Sequence, residues 1–161
     1  MKILVVSDTH RHNENLEKVM EIEGAVDVFI HLGDIEGTEE EIRDIVKCDK
    51  CYMICGNNDY FSQLDREIKA RIGNYNVWMT HGHNYYISLG YETLQSEAIA
   101  QGIDIVMCGH THKPYLDDKH MVTVLNPGSI SYPRQPDKKP SYAVIQMERG
   151  KRPVIEIKYL E

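Results

Sequence analysis

Lys2-Ile3-Leu4-Val5-Val6-Ser7-Asp8-Thr9-His10 is the stretch whose reading decides the fold. Ile3 to Val6 is an unbroken apolar run too short for a helix, and it suits a strand covered on both faces, as in parallel sheets. A carboxylate and an imidazole follow at once, where the chain leaves the sheet. Such a place suits a metal ligand better than a structural charge. The same arrangement recurs along the chain. Val28-Phe29-Ile30 leads to Gly33-Asp34, and Tyr52-Met53-Ile54-Cys55 leads to Gly56-Asn57-Asn58-Asp59. Val77-Trp78-Met79 leads to His81-Gly82-His83, and Ile105-Val106-Met107-Cys108 leads to Gly109-His110-Thr111-His112. Open α/β sheets carry their ligand sites at the carboxyl ends of strands. Five strand ends bearing oxygen and imidazole groups therefore point to one site.

Composition limits the function classes. The 161 residues suffice for one ordinary domain, and 42% hydrophobic with 27% charged residues is a soluble, globular balance. A single domain over residues 1–161 is expected. No apolar run approaches the roughly 20 residues a membrane helix needs. The chain enters a strand directly, with no signal-peptide pattern, so a cytoplasmic address and no membrane partner are expected. A formal charge of −7 argues against wrapping a nucleic-acid duplex, because that binding rests on Lys and Arg displacing counterions. It does not exclude a phosphate substrate, since bound cations invert the local field. Cys48 and Cys51 form one C-x-x-C without a second pair to complete a zinc ribbon. With Cys55 and Cys108 they read as packing groups.

The pattern between the strand ends predicts the layers. Leu16, Val19 and Met20 form one face of a helix that starts near Asn13 or Asn15 and stops at Gly24. Val26 to Ile30 is the next strand. Thr38-Glu39-Glu40-Glu41 reads as a capping box ahead of Ile42, Ile45 and Val46. Strand and helix alternating in this way imply right-handed parallel crossovers. Ile68 to Ile72 and Tyr75 to Thr80 flank the turn Gly73-Asn74 as a hairpin. Leu89 to Ala100 is expected to be helical, with Gly102 just past its end. Asp104 to Cys108 is a buried strand, Tyr115 to Asp118 with Met121 to Leu125 a hairpin, and Tyr142 to Met147 with Val154 to Tyr159 a last pair. Residues 126–129 and 133–140 read as loops. A parallel beginning and a hairpin-rich end give an α/β fold of two mixed sheets packed face to face, helices outside.

The candidate ligands are Asp8, His10, Asp34, Asn57, His81, His110 and His112. Two carboxylates, one amide and four imidazoles, with no thiolate, favour a divalent transition metal over magnesium. Manganese is the first expectation, with nickel, iron, cobalt or zinc as alternatives. Seven ligands exceed what one ion uses. With one carboxylate shared they divide into two sites, and paired ions about 3.5–4 Å apart serve phosphoryl transfer.

In order and spacing these blocks resemble the D-x-H, G-D, G-N-x-[D/E], H and G-H-x-H motifs of the calcineurin-like metallophosphoesterase superfamily. The likeness is greatest to the small single-domain phosphodiesterases of bacteria and archaea, whose N-P-G-S segment is matched by Asn126 to Ser129. The resemblance covers about residues 1 to 134. It implies a four-layer α/β/β/α sandwich, with Asp8, His10, Asp34 and His112 on one ion. It further implies that Asp34, Asn57, His81 and His110 hold the second, with Asp34 bridging. The implied activity is hydrolysis of small phosphodiesters by a metal-bound hydroxide, with Asp34, Asn57 and His81 catalytic as well as ligating.

Two departures stand out. Arg11 replaces the usual glycine after the first block, and Asn58 stands where related phosphatases carry a histidine credited with protonating the leaving group. Asn58, Arg11, His83 and Arg134 are the expected substrate-binding residues. His31 reads as a packed or ligand-orienting group, Asp59 as a loop support, and His12 and His120 as bystanders. Two alternatives are kept: a phosphomonoesterase, and a non-catalytic scaffold resembling a retromer subunit. All seven ligand positions are intact, which favours an enzyme. A DNA-repair nuclease would need extra domains and a basic surface. A homo-oligomer is left open.

Overall fold

A computed structural model describes residues 1–161. The chain forms β1 (Lys2–Val6), α1 (Glu14–Glu23), β2 (Val28–His31), α2 (Glu39–Val46) and β3 (Cys51–Met53). There follow β4 (Glu67–Ile72), β5 (Tyr75–Thr80), α3 (Glu92–Ala100), β6 (Ile105–Met107), β7 (Pro114–Asp117), β8 (Thr123–Pro127), β9 (Ser141–Gln146) and β10 (Val154–Tyr159). Two five-stranded sheets result, ordered β10-β9-β1-β2-β3 and β4-β5-β6-β8-β7. In the first, β1, β2 and β3 run parallel, with β9 antiparallel to β1. In the second, β5, β6 and β8 run parallel between antiparallel edge strands.

Residue parity builds the layers, because successive side chains on a strand face opposite ways. Ile3 and Val5 join Val28, Ile30, Val77, Met79, Ile105 and Met107 in a core between the two sheets. Leu4, Val6 and Phe29 point the other way, against Leu16 and Val19 of α1 and Ile42 and Val46 of α2. Trp78, Val106 and Val124 pack outward against Leu94 and Ala98 of α3. The fold is thus a four-layer α/β/β/α sandwich whose central strands are apolar on both faces. That is why Ile3 to Val6 shows no alternation.

Several local expectations shift. The Gly73-Asn74 hairpin forms, with Ile72 opposite Tyr75 and Gly73 at φ +60°. The capping box does not form, because the Thr38 hydroxyl donates to the Ile35 carbonyl at 3.2 Å and leaves the helix end uncapped by its side chain. The third helix begins at Glu92, three residues later than expected, since Gly90 at φ +147° holds the chain extended out of the helical region. Asn126 and Pro127 belong to β8 rather than to a loop, and only Gly128 and Ser129 turn away from the sheet.

Candidate metal centre

The first ligand loop leaves β1 and doubles back, and the second leaves β2 beside it. Asp8 donates its N–H to the Gly33 carbonyl at 3.0 Å, and His10 to the Asp34 carbonyl at 2.9 Å, so the two loops are zipped together. Buried His31 strengthens the join. Its Nδ1 accepts from the Gly33 N–H at 3.2 Å, leaving Nε2–H to donate to the Thr9 hydroxyl at 3.1 Å. Burial pushes the His31 imidazole down to about 3, so this clamp is neutral.

The nominated residues are drawn together from five loops. Asp8, His10, Asp34 and His112 each offer one ligand atom, all within 4.8 Å of one another. Around the same Asp34, His81 Nε2 lies 3.5 Å from its Oδ2 and 3.0 Å from Asn57 Oδ1, and His110 Nδ1 lies 2.9 Å from that amide oxygen. Asp34 Oδ2 is also 3.6 Å from His10 Nε2, which places this carboxylate between the two sets.

What faces inward is a ring of nitrogen and oxygen ligand atoms. His10 Nδ1 lies 2.6 Å from the Glu36 carboxylate, His81 Nδ1 2.7 Å from the Leu32 carbonyl and His112 Nδ1 2.7 Å from the Tyr132 carbonyl. Each of these oxygens only accepts, so each Nδ1 carries a hydrogen and Nε2 is the ring nitrogen turned into the site, a lone pair there once the ring is neutral. His10 Nε2 and His112 Nε2 then face each other at 3.2 Å. Asp8 Oδ1 is buried with no hydrogen-bond donor and lies 3.2 Å from His112 Nε2. Acceptors crowded against acceptors need a cation, and this mixed nitrogen and oxygen set fits divalent transition-metal ions.

The carboxylates create that demand. Burial alone would raise the Asp34 carboxyl. The His81 hydrogen bond and charge, with two N–H bonds from Asn58, outweigh it and hold Asp34 well below the usual carboxylate range. Asp8 is likewise pushed up by burial but lowered overall by His112 and His81. In return, burial lowers His81, yet the hydrogen bond to Asp34 and the charge of Asp8 raise it to about 9. A proton thus takes up the attraction that an ion would satisfy.

The backbone is held in a sparsely allowed state. Asp8, His10, Asp34, His110 and His112 all have positive φ, between 46° and 66°. Each such residue costs on the order of 1 kcal/mol and persists only where its surroundings over-determine it. Part of that support is the glycine motif itself. A Cβ at Gly56 would collide with the Asp34 carboxylate, and one at Gly109 with the Ser7 hydroxyl and, at 2.9 Å, Asp8 Oδ2. Further support comes from Asp59, which accepts the N–H groups of Asp34, Glu36 and Gly56 at 2.7, 2.6 and 2.6 Å. Asn126 donates to the Gly109 carbonyl at 2.7 Å and Ser129 to the Asp8 carbonyl at 2.8 Å, so the N-P-G-S segment joins the first ligand loop to the last.

The expected substrate residues ring this centre. Asn58 spends its side-chain amide on Asp34 Oδ2, at 2.7 Å. His83 stands beside His81 and His110, with ring centroids 5.5 and 6.0 Å away, and its buried Nδ1 has no partner. Burial, then the charge of His81, lowers the His83 pKa. Arg11 is 69% exposed, its Nε 3.5 Å from Glu36. Arg134 lines an open cleft of about 520 Å³ with His10, Glu36, His112 and Tyr132. His12 sits edge-on to the Tyr132 ring, and His120 pairs with Asp117 away from the centre. Glu36, which orients His10, was not singled out from sequence. The signal for it is an acid two residues after Asp34, where His10 needs an Nδ1 acceptor.

Two overlapping sets of nitrogen and oxygen ligand atoms, gathered at strand ends of a four-layer sandwich, are the donor set that a divalent metal centre requires. The chain belongs to the calcineurin-like phosphoesterase superfamily, whose domain matches residues 1–150. It is 30% identical over 151 residues to a phosphodiesterase of Methanocaldococcus jannaschii, covering 80% of this chain and 83% of that protein. A predicted phosphoesterase of Streptococcus pneumoniae superposes with TM-score 0.80 at 26% identity, over 99% of this chain and 88% of that one. Zinc-complexed Vps29 of Entamoeba histolytica superposes with TM-score 0.78 over 99% of each chain; at 20% identity this is a likeness of fold alone.

Proposed function

We propose that the chain is a phosphodiesterase that uses two divalent transition-metal ions, manganese first, with Asp34 bridging. The observation that carries this reading is the place of Asp34 Oδ2, 3.6 Å from His10 Nε2 and 3.5 Å from His81 Nε2. Asp8, His10, Asp34 and His112 would hold one ion, and Asp34, Asn57, His81 and His110 the other. When bound, such a pair supplies positive charge for the phosphate oxygens and lowers the pKa of a water. The chain's own task is to keep the carboxylates ionised and the imidazoles aimed. Glu36, Leu32 and Tyr132 fix the three imidazole tautomers, and Asn58 fixes both oxygens of Asp34, at 2.9 and 2.7 Å. Arg11, Arg134 and His83 stand around the opening to meet the substrate.

In the overall reaction one water adds across one P–O ester bond, giving a phosphomonoester and an alcohol or phenol. Asn58 decides which esters suffer this. A neutral amide has no proton to give at pH 7, and the lowered pKa of His83 keeps that ring neutral too. The departing oxygen therefore leaves without general-acid help, typically worth about 10²- to 10⁴-fold. Aryl oxides tolerate the loss and alkoxides do not. A diester also carries less negative charge than a monoester dianion, which eases attack.

The test compares bis-p-nitrophenyl phosphate with p-nitrophenyl phosphate, for the parent and for Asn58→His. The parent is expected to favour the diester by at least about tenfold, about 1.4 kcal/mol of barrier, and the variant to gain on the monoester. Equal or better monoester turnover by the parent would make it a phosphomonoesterase. No turnover of either in metal-defined protein would favour the scaffold.

A further inference from the structure

A groove of about 690 Å³ leads away from the metal centre between the amino-terminal turn of α2 and the loop after Asn58. Its inner end is formed by Asn58 and Glu36, both in contact with ligand side chains: Asn58 bonds Asp34 at 2.7 Å and Glu36 bonds His10 at 2.6 Å. Its outer end is lined by Tyr60 and Phe61. These rings are 80% and 97% exposed, so folding gains almost nothing from them. They are nevertheless held close to the site. Asp59, immediately before them, ties the loop to the backbone of Asp34 and Glu36, and the Cys55 N–H closes the loop base onto the Asp65 carbonyl at 2.9 Å. Arg11 and Arg43 supply cations to the same groove. Adjacent glutamates offer acceptors.

Two exposed aromatic rings in a groove that arginines and glutamates also line match a planar heteroaromatic ring whose edges carry amino and carbonyl groups. A glycerol or alkyl arm would leave those faces unused. The volume lies within the range of small-molecule pockets. We propose that this groove binds the nucleoside arm of a nucleoside-containing phosphodiester, with Phe61 and Tyr60 stacking on the base. The proposal rests on the phosphodiesterase reading and names its substrate class. It assigns Phe61 and Tyr60 as specificity-determining residues.

The experiment uses two diesters with the same leaving group, thymidine 5′-p-nitrophenyl phosphate and ethyl p-nitrophenyl phosphate. The metal-loaded parent is expected to prefer the thymidine ester. Phe61→Ala should lower the ratio of their kcat/KM values by at least about fivefold, the lower end of what base–aromatic stacking contributes. Phe61→Trp should restore the ratio. Neither change threatens folding, because the side chain is exposed. Saturation-transfer NMR of thymidine 5′-monophosphate gives a readout independent of turnover: strong transfer to the base protons in the parent, weakened in Phe61→Ala. An unchanged ratio with unchanged base saturation overturns the groove assignment and leaves the phosphodiesterase reading intact. Equal losses on both esters overturn it too, since the shared nitrophenyl ring would then be the occupant. So does an effect of Phe61→Ala confined to oligomeric state. Base-dependent binding without turnover of either ester keeps the groove and overturns the reading it rests on.

Discussion

Replacing Asp59 by Asn should unsettle the metal centre without touching a nominated ligand. The Asp59 carboxylate accepts three backbone N–H groups, from Asp34, Glu36 and Gly56, at 2.6 to 2.7 Å. Two of those donors belong to residues at positive φ, Asp34 at 58° and Glu36 at 60°. An asparagine keeps one oxygen, which can serve the Asp34 and Gly56 pair at neutral rather than charge-assisted strength, roughly half. The Glu36 N–H then meets an amide NH₂, donor against donor, which costs about 1–3 kcal/mol. Together the loss is about 2–4 kcal/mol. For a chain of this size each kcal/mol moves Tm by about 2–4 °C, so a fall of roughly 5–15 °C is expected for the metal-free protein. Circular-dichroism melts and urea titrations read it, and calorimetric manganese titration should show weaker binding, since Asp34 and the His10 partner Glu36 both lose their anchor. A variant within about 0.5 kcal/mol of the parent, with unchanged metal affinity, would refute the view that this carboxylate holds the strained turn.

Asp34→Asn should abolish diesterase turnover with the fold retained; an anomalous-scattering map of metal-loaded crystals showing one ion, or none beside Asp34, would sink the bridging assignment. Activity at limiting metal should fall below about pH 6, because imidazoles with reference pKa near 6.5 must lose their proton to bind an ion, and His81, raised to about 9, holds its proton harder still. More metal should shift the fall to lower pH, and a flat rate from pH 5 to 8 would contradict the proton competition. Glu23 gives a test away from the site. Burial pushes its carboxyl up, but Lys2, Lys158 and Tyr142 draw it down from 4.5 to about 2. Its stabilisation is therefore complete above about pH 4.5 and lost as pH falls through about 2. Since both lysines are partly exposed, screening leaves about 2 kcal/mol. Glu23→Gln should cost that much at pH 7 by urea unfolding, with the two stabilities meeting near pH 2; a gap independent of pH would count against the network.

How much of this was legible in the sequence depends on the kind of interaction. Ile3 to Val6 announced a doubly covered strand because burial on both faces removes alternation, and the same held for Val77 to Met79 and Ile105 to Met107. Asp59 could be read as a loop support, since an acid closing a G-N-N-D block has backbone donors nearby. Thr38 misled, because a hydroxyl can reach a preceding carbonyl as easily as a following N–H, and the residue type does not say which. Glu36 stayed hidden for a related reason. Whether an acid two residues beyond Asp34 reaches His10 depends on left-handed turns at Asp34 and Glu36, and nothing in Asp-Ile-Glu states them. The visible trace of those turns is the glycines. Gly56 and Gly109 cannot carry a Cβ without striking the carboxylates of Asp34 and Asp8 or the Ser7 hydroxyl. A glycine before a ligand thus marks the place where another loop is pressed close, a carboxylate at Gly56 and Gly109 and the Gly56 backbone with the His81 ring at Gly33, and the G-D, G-N and G-H pairs record how tightly the strand ends are packed around the ions they would hold.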